Sequence, residues 1–332
     1  CGFVDSEALA TWIPGTPLLN RTGDGEVVAV FCDDPDKMFD LKQLAQDKIS
    51  RNQMTVVAFP REFRKIDDAV YRLEAAIELK ANAGDDDILA EEYEIMIEDY
   101  SELVDGFIAG YFQPELKHSF YYIGGGRRSS ITRKRKLSEE LSCLCDKVFD
   151  KTPRITSEAL NKNELTGTAF SSRTKILKAL CAPTLVPNLG FVGNGQETSM
   201  ARSALEKTGL IKDIVEHIDE EGDRGERITA VIDAIERFVD EADDSAFDVL
   251  YDELTGRDAG IGLRRGPIPL YLAFVLRGRR DEIKITKSNG EEKALDETLL
   301  DDISKQPGSY RITHLDWTPE MGSYINALGG IF

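Results

Sequence analysis

The chain lacks most of the signatures that catalysis or a membrane would leave. Its 332 residues include three histidines, His118, His217 and His314, each isolated from the others. No His-x-x-x-His pair offers zinc two ligands on one helix, and no Gly-x-Ser-x-Gly elbow presents a nucleophile. No Gly-x-x-x-x-Gly-Lys-Ser/Thr loop is present to cradle phosphates with backbone N–H groups and a lysine. No run of about 18 apolar residues occurs, which excludes a membrane-spanning helix. The five cysteines, Cys1, Cys32, Cys143, Cys145 and Cys181, form no disulfide framework, and Cys143 and Cys145 stand too close for a Cys-x-x-Cys site. Small buried thiols in a reducing cytoplasm are the expectation. No catalytic residue and no metal ligand is assigned.

Basic charge is also in deficit. Sixty acids face 41 bases, for a net charge of -19 and an isoelectric point near 4.7. Such a surface repels nucleic acid, so any contact with DNA needs a local basic patch. The chain begins at Cys1 without a methionine or a secretory pattern and ends on the apolar Leu328-Gly329-Gly330-Ile331-Phe332. Both ends suggest an excerpt of a larger polypeptide.

Periodicity predicts a mixed α/β architecture, in which an N-terminal parallel α/β unit precedes helical and winged-helix-like domains. In residues 1–118, apolar strands at Val27–Phe31 and Thr55–Phe59 alternate with helices near 36–50 and 63–80, the pattern of a parallel pair. A long helix over Ile88–Tyr111 carries carboxylates between its apolar positions and exposes an acidic face. Residues 119–215 read as a strand at Phe120–Ile123, a basic loop, and helices at 137–149, 157–162, 167–180 and 196–208. Residues 216–332 open on the charged loop Asp219–Asp223. Helices follow near 226–239, 245–254 and 267–276, then a hairpin at 283–295, a helix at 296–305 and a strand at 310–313, an order like that of a winged helix.

Several near-motifs fall short. Gly190–Thr198 has glycines before a helix but no lysine, and Gly124–Ser130 has cations and hydroxyls without a strand–helix crossover. Val28–Asp34 resembles a Walker B strand, but an aspartate before Pro35 reads better as a helix cap. Asp281-Glu282-Ile283-Lys284 places Glu282 and Lys284 on one side of a strand, as in metal-dependent nucleases, without an upstream aspartate on a neighbouring strand. A charged hairpin edge accounts for it better.

Two features remain. Arg127, Arg128, Arg133, Lys134, Arg135 and Lys136 crowd into ten residues of an acidic chain, with Gly, Ser and Thr among them. Cations with hydroxyl and backbone donors suit phosphates, by charge and counterion release. Arg264 and Arg265 stand between Gly262 and Gly266, ahead of Pro267-Ile268-Pro269 and an apolar helix, and join them as candidate contacts to DNA or a partner.

Gly262-Leu263-Arg264-Arg265-Gly266-Pro267-Ile268-Pro269, together with Thr152-Pro153-Arg154-Ile155-Thr156-Ser157-Glu158-Ala159-Leu160-Asn161, resembles the C-terminal region of large P-loop ATPases of prokaryotic antiviral systems, the BREX-type ATPases. Those carry a Thr-Pro-x-Ile-x-Asn-Glu-Leu segment and a Pro-Tyr-Gly-Leu-Arg-x-Gly-x-Ile-Pro segment. Here Ser157 replaces the asparagine and Asp258-Ala259-Gly260-Ile261 replaces the Pro-Tyr approach. The resemblance implies a cytoplasmic, ATP- and Mg-dependent machine that oligomerises through an upstream motor. This piece would then be a non-catalytic scaffold facing DNA or other defence subunits. An acidic protein-interaction module and a metal-dependent nuclease are the alternatives.

Overall fold

The computed structural model describes residues 2–13, 25–50, 54–84, 86–124, 127–129 and 131–315. By its internal contacts the chain divides into two units, residues 1–148 and 149–332. The architecture is mixed α/β.

The first unit holds a five-stranded sheet in sequential order. Strands β1 (Gly2–Val4), β2 (Glu26–Val30) and β3 (Thr55–Pro60) run parallel, while β4 (Ser119–Ile123) and β5 (Arg127–Ser129) are antiparallel additions. Its helices are α1 (Ser6–Thr11), α2 (Met38–Ile49), α3 (Asp67–Ala81), α4 (Asp87–Phe112) and α5 (Lys134–Val148). Alternate strand residues point to opposite faces. Val28, Val30, Val57 and Phe59 join Leu41, Ala45 and Ile49 of α2 in one core. Ala29, Val56 and Ala58 join Phe107 and Tyr111 of α4 and Leu137 and Leu144 of α5 in the other. Burial on both faces explains why the strands read as unbroken apolar runs.

The α3–α4 pair is different. α3 buries Ala76 alone, and α4 buries only Phe107, Gly110 and Tyr111 near its C-terminal end. The two helices pack along each other, so most of α4's 26 residues touch solvent or α3. The Asp86 carboxylate starts α4 by accepting the Leu89 N–H at 3.1 Å.

The second unit contains α6 (Gly167–Leu180), α7 (Gln196–Ala201), β6 (Ile211–Asp213), β7 (His217–Glu221), α8 (Glu226–Asp240), β8 (Ser245–Ala246), α9 (Phe247–Thr255), α10 (Ile268–Leu276), β9 (Ile283–Lys287), β10 (Glu292–Lys293), α11 (Glu297–Lys305) and β11 (Tyr310–His314). Four strands form a sheet in the order β10-β9-β11-β8, and β6 and β7 form a separate hairpin. One apolar cluster runs from Ile155 through α6, α8, α9 and α10 to Ile312. α10 lies at its centre with eight of nine residues buried.

The unit boundary differs from the divisions expected at 118 and 215. Strands β4 and β5 complete the first sheet beyond residue 118, and residue 215 lies within the β6–β7 hairpin. Residues 158–160 make a single turn instead of the expected helix. The expected helix over 196–208 holds as α7 only to Ala201, then widens into a π turn at Arg202–Glu206. The charged segment expected as a loop over Asp219–Asp223 is strand as far as Glu221, the end of β7, where Ile218 turns inward and Glu220 pairs with Lys212 at 2.6 Å.

Candidate functional site

The basic segment is only partly a loop: residues 131–133 join a strand to a helix. Arg127 and Arg128 lie on the edge strand β5, and Lys134, Arg135 and Lys136 form the first turn of α5, just after Arg133. The side chains of Arg133 to Lys136 are exposed. Cations at a helix N-terminus oppose the helix dipole, so this end of α5 is strongly electropositive. Part of that charge is met locally. The Lys134 backbone N–H donates to Glu115 Oε1 at 2.5 Å, which holds the Glu115 carboxyl below its ordinary value. Arg135 reaches Glu139 at 3.1 Å, and Lys136 lies 3.5 Å from Glu139 and 3.8 Å from Glu140. These exposed i,i+3 and i,i+4 pairs are weak and compete poorly with a multivalent anion.

Arg264 and Arg265 belong to the second unit and are half-buried. The Arg265 guanidinium stacks 5.6 Å from the Tyr251 ring centre, and its backbone N–H donates to Asn163 Oδ1 at 3.2 Å. The turn that carries them is a packing device. Gly262 takes φ +57 and lies so close to Phe149 that a Cβ would fall 2.2 Å from its ring. At Gly266 a Cβ would fall 2.1 Å from the Leu160 carbonyl oxygen, and the Gly266 N–H donates to Lys162 O at 2.8 Å. Thr152 donates its hydroxyl to Ile261 O, and Arg227 donates to Thr152 O at 3.1 Å. The segments 152–162 and 261–266 are therefore one latch, joined across about a hundred residues of sequence.

Sequence reasoning overlooked the charge pair behind this latch. Arg173 on α6 donates to Asp301 Oδ1 on α11 at 2.7 Å and to the Gly266 carbonyl at 3.2 Å. Both side chains are about 5% exposed or less, and the Thr174 hydroxyl donates to the other Asp301 oxygen at 2.5 Å. Hydrogen bonds to both members of this buried pair fix the geometry of the turn from below. The available signal was Arg173 itself, four residues after Ala169 and three before Ile176 on α6's apolar stripe.

The other near-motifs resolve locally. Asp34 caps the short 3-10 turn at Pro35–Lys37 by accepting the Asp36 N–H at 2.9 Å. Glu282 pairs with Arg279 at 3.2 Å, and Lys284 pairs with Glu292 across the hairpin at 3.4 Å. The Thr198 hydroxyl donates to Gly193 O at 3.3 Å, closing the glycine-rich turn on itself. His118 Nδ1 lies 2.9 Å from Arg64, and His217 Nδ1 lies 2.9 Å from Glu220. Among the described residues no cluster of three or more His, Cys, Asp or Glu side chains is placed to share a metal ion.

The α3–α4 hairpin exposes large apolar side chains on α4. Ile88, Ile95 and Leu103 are 75%, 56% and 57% exposed. Steps of seven and eight residues put them on one stripe of α4. Around that stripe, residues 67–112 carry fourteen acids against two bases, Arg72 and Lys80. No known family, curated protein or solved structure matches this chain.

Proposed function

We propose that this chain is a non-catalytic scaffold region of a large multidomain ATPase of the antiviral-defence kind, and that it docks a protein partner on the α3–α4 hairpin. ATP and Mg belong to the whole machine under this reading, not to this stretch, and the β8–β11 sheet with its helices is the winged-helix-like module. The carrying observation is the α4 stripe of Ile88, Ile95 and Leu103, exposed on a helix flanked by carboxylates. A solvated helix gains nothing from such a stripe, whereas a covered one buries it. Charge complementarity selects the occupant: an amphipathic helix with apolar anchors and Lys or Arg beside them. A second copy of the same hairpin would bring like charges together.

The test is fluorescence anisotropy of a labelled Leu/Lys amphipathic helical peptide against the chain. Wild type is expected to bind, with affinity falling as salt rises. The charge-neutral variant I95S/L103S is expected to bind at least about tenfold more weakly, because two apolar anchors are lost. Equal binding by the two proteins would show charge attraction alone and overturn the docking.

A second reading, contact with DNA, rests on Arg133, Lys134, Arg135 and Lys136, exposed at the positive end of α5. α10 supports no groove reading, since it is buried on all sides. Contact would therefore be to phosphates. Charge reversal of residues 133–136 is expected to weaken binding in a gel-shift series and to flatten its salt dependence. Unchanged low-salt binding would sink this reading.

A further inference from the structure

A cavity of about 360 Å³ opens between the N-terminal end of α3 and the C-terminal half of α4. Three cations line it, although the surrounding hairpin is strongly acidic. Arg64, Lys65 and Arg72 line it, with Asp68 as the lone carboxylate, 3.7 Å from Lys65. Both arginines are held in place. Arg64 lies 5.3 Å over the Phe107 ring and 2.9 Å from His118 Nδ1. Arg72 lies 5.9 Å over the Tyr100 ring and donates to its hydroxyl at 3.2 Å. A guanidinium held against an aromatic face keeps N–H donors on its outer edge, in the fork that suits an oxyanion.

The N-terminus of α3 adds little: no side chain caps it, but its first turn carries Asp67 and Asp68, which offset the positive end of the dipole. Leu103 and Phe107 of α4, with Ile66 beside Lys65, add apolar surface to the lining. The volume exceeds what a bare inorganic anion fills and matches the lower range of small-molecule sites.

We propose that this cavity binds a small organic phosphate, its phosphate held by Arg64, Lys65 and Arg72 and its flat or apolar body resting against Leu103 and Phe107. The site shares Leu103 with the α4 stripe but none of its cations, so variants at Lys65 and Arg72 test it apart from peptide docking.

Isothermal titration of the whole chain with phenyl phosphate, inorganic phosphate and phenol separates the two halves of the site. Phenyl phosphate is expected to saturate in the sub-millimolar range, about tenfold tighter than inorganic phosphate, with no saturation by phenol. R72Q and K65Q, both at exposed positions, are each expected to weaken phenyl phosphate about tenfold while leaving the circular dichroism spectrum and melting temperature unchanged. Should R72Q misfold, K65Q carries the test alone. The proposal is overturned if wild type shows no saturation by phenyl phosphate up to about 10 mM. It is also overturned if phenyl phosphate binds no tighter than inorganic phosphate, or if folded variants bind as wild type does.

Discussion

Arg173 occupies a position where α6's apolar stripe calls for an aliphatic side chain. Desolvating a guanidinium and a carboxylate costs several kcal/mol each, and the pair recovers this only through good geometry and further hydrogen bonds. Here Gly266 O, Ser304 and Thr174 supply those bonds. Removing one partner leaves the other charged and buried. Arg173→Met and Asp301→Leu are each expected to lower unfolding stability by about 3–5 kcal/mol, while the double variant recovers most of the loss. Urea unfolding of the four proteins measures this, and additive losses in the double variant would refute the coupling. The same residue shows where reading the sequence stops. Gly262 and Gly266 were legible as a constrained turn, because glycine spacing before Pro-x-Pro signals one. That Gly266 is needed for contact with Leu160 O, and that Arg173 braces the turn, depends on partners tens of residues or more away, which local spacing does not encode.

Elements were read well where periodicity was long and poorly where it was short. The long acidic helix expected over 88–111 is α4 at 87–112, and the strands at 27–31 and 55–59 are β2 and β3 within a residue or two. β1, β5, β6 and β7 are three to five residues each, and their pairing comes from the neighbouring strand, not from their own composition. Within α4 the two glycines have opposite meanings. A Cβ at Gly106 meets nothing within 4 Å, whereas at Gly110 it falls 2.8 Å from His118 Nδ1 and 2.9 Å from Arg64. Gly106→Ala is expected to stabilise the first unit by about 0.5–1 kcal/mol through helix propensity and lost unfolded-state freedom. Gly110→Ala is expected to destabilise it, because the side chains it meets are packed on Phe107 and the α3 approach. Thermal melts of the two variants decide the matter, and equal shifts would contradict the packing around Arg64.

On the scale of the molecule, each unit buries acidic hydroxyl or thiol groups in their protonated form. Burial pushes the Tyr111 and Tyr121 phenols up to about 12 in the first unit and the Cys181 thiol up to about 11 in the second. Tyr251 and Tyr271, also in the second unit, are raised further by complete burial. In an unfolded chain phenols ionise near pH 10 and thiols near 8.5. The unfolded chain therefore releases protons that the folded chain retains, and stability falls as pH rises. Their contribution is fully present below about pH 8.5 and is lost progressively through pH 11–12, by up to about 1.4 kcal/mol per pH unit for each titrating group. Urea midpoints measured at pH 8, 9.5 and 11 should fall in that order, and Cys181→Ala should make the decline shallower between pH 9 and 11. A midpoint that stays constant to pH 11 would mean that these groups reach solvent, contradicting the packing that places Cys181 in the second core and Tyr121 against the Tyr111 carbonyl at 2.9 Å.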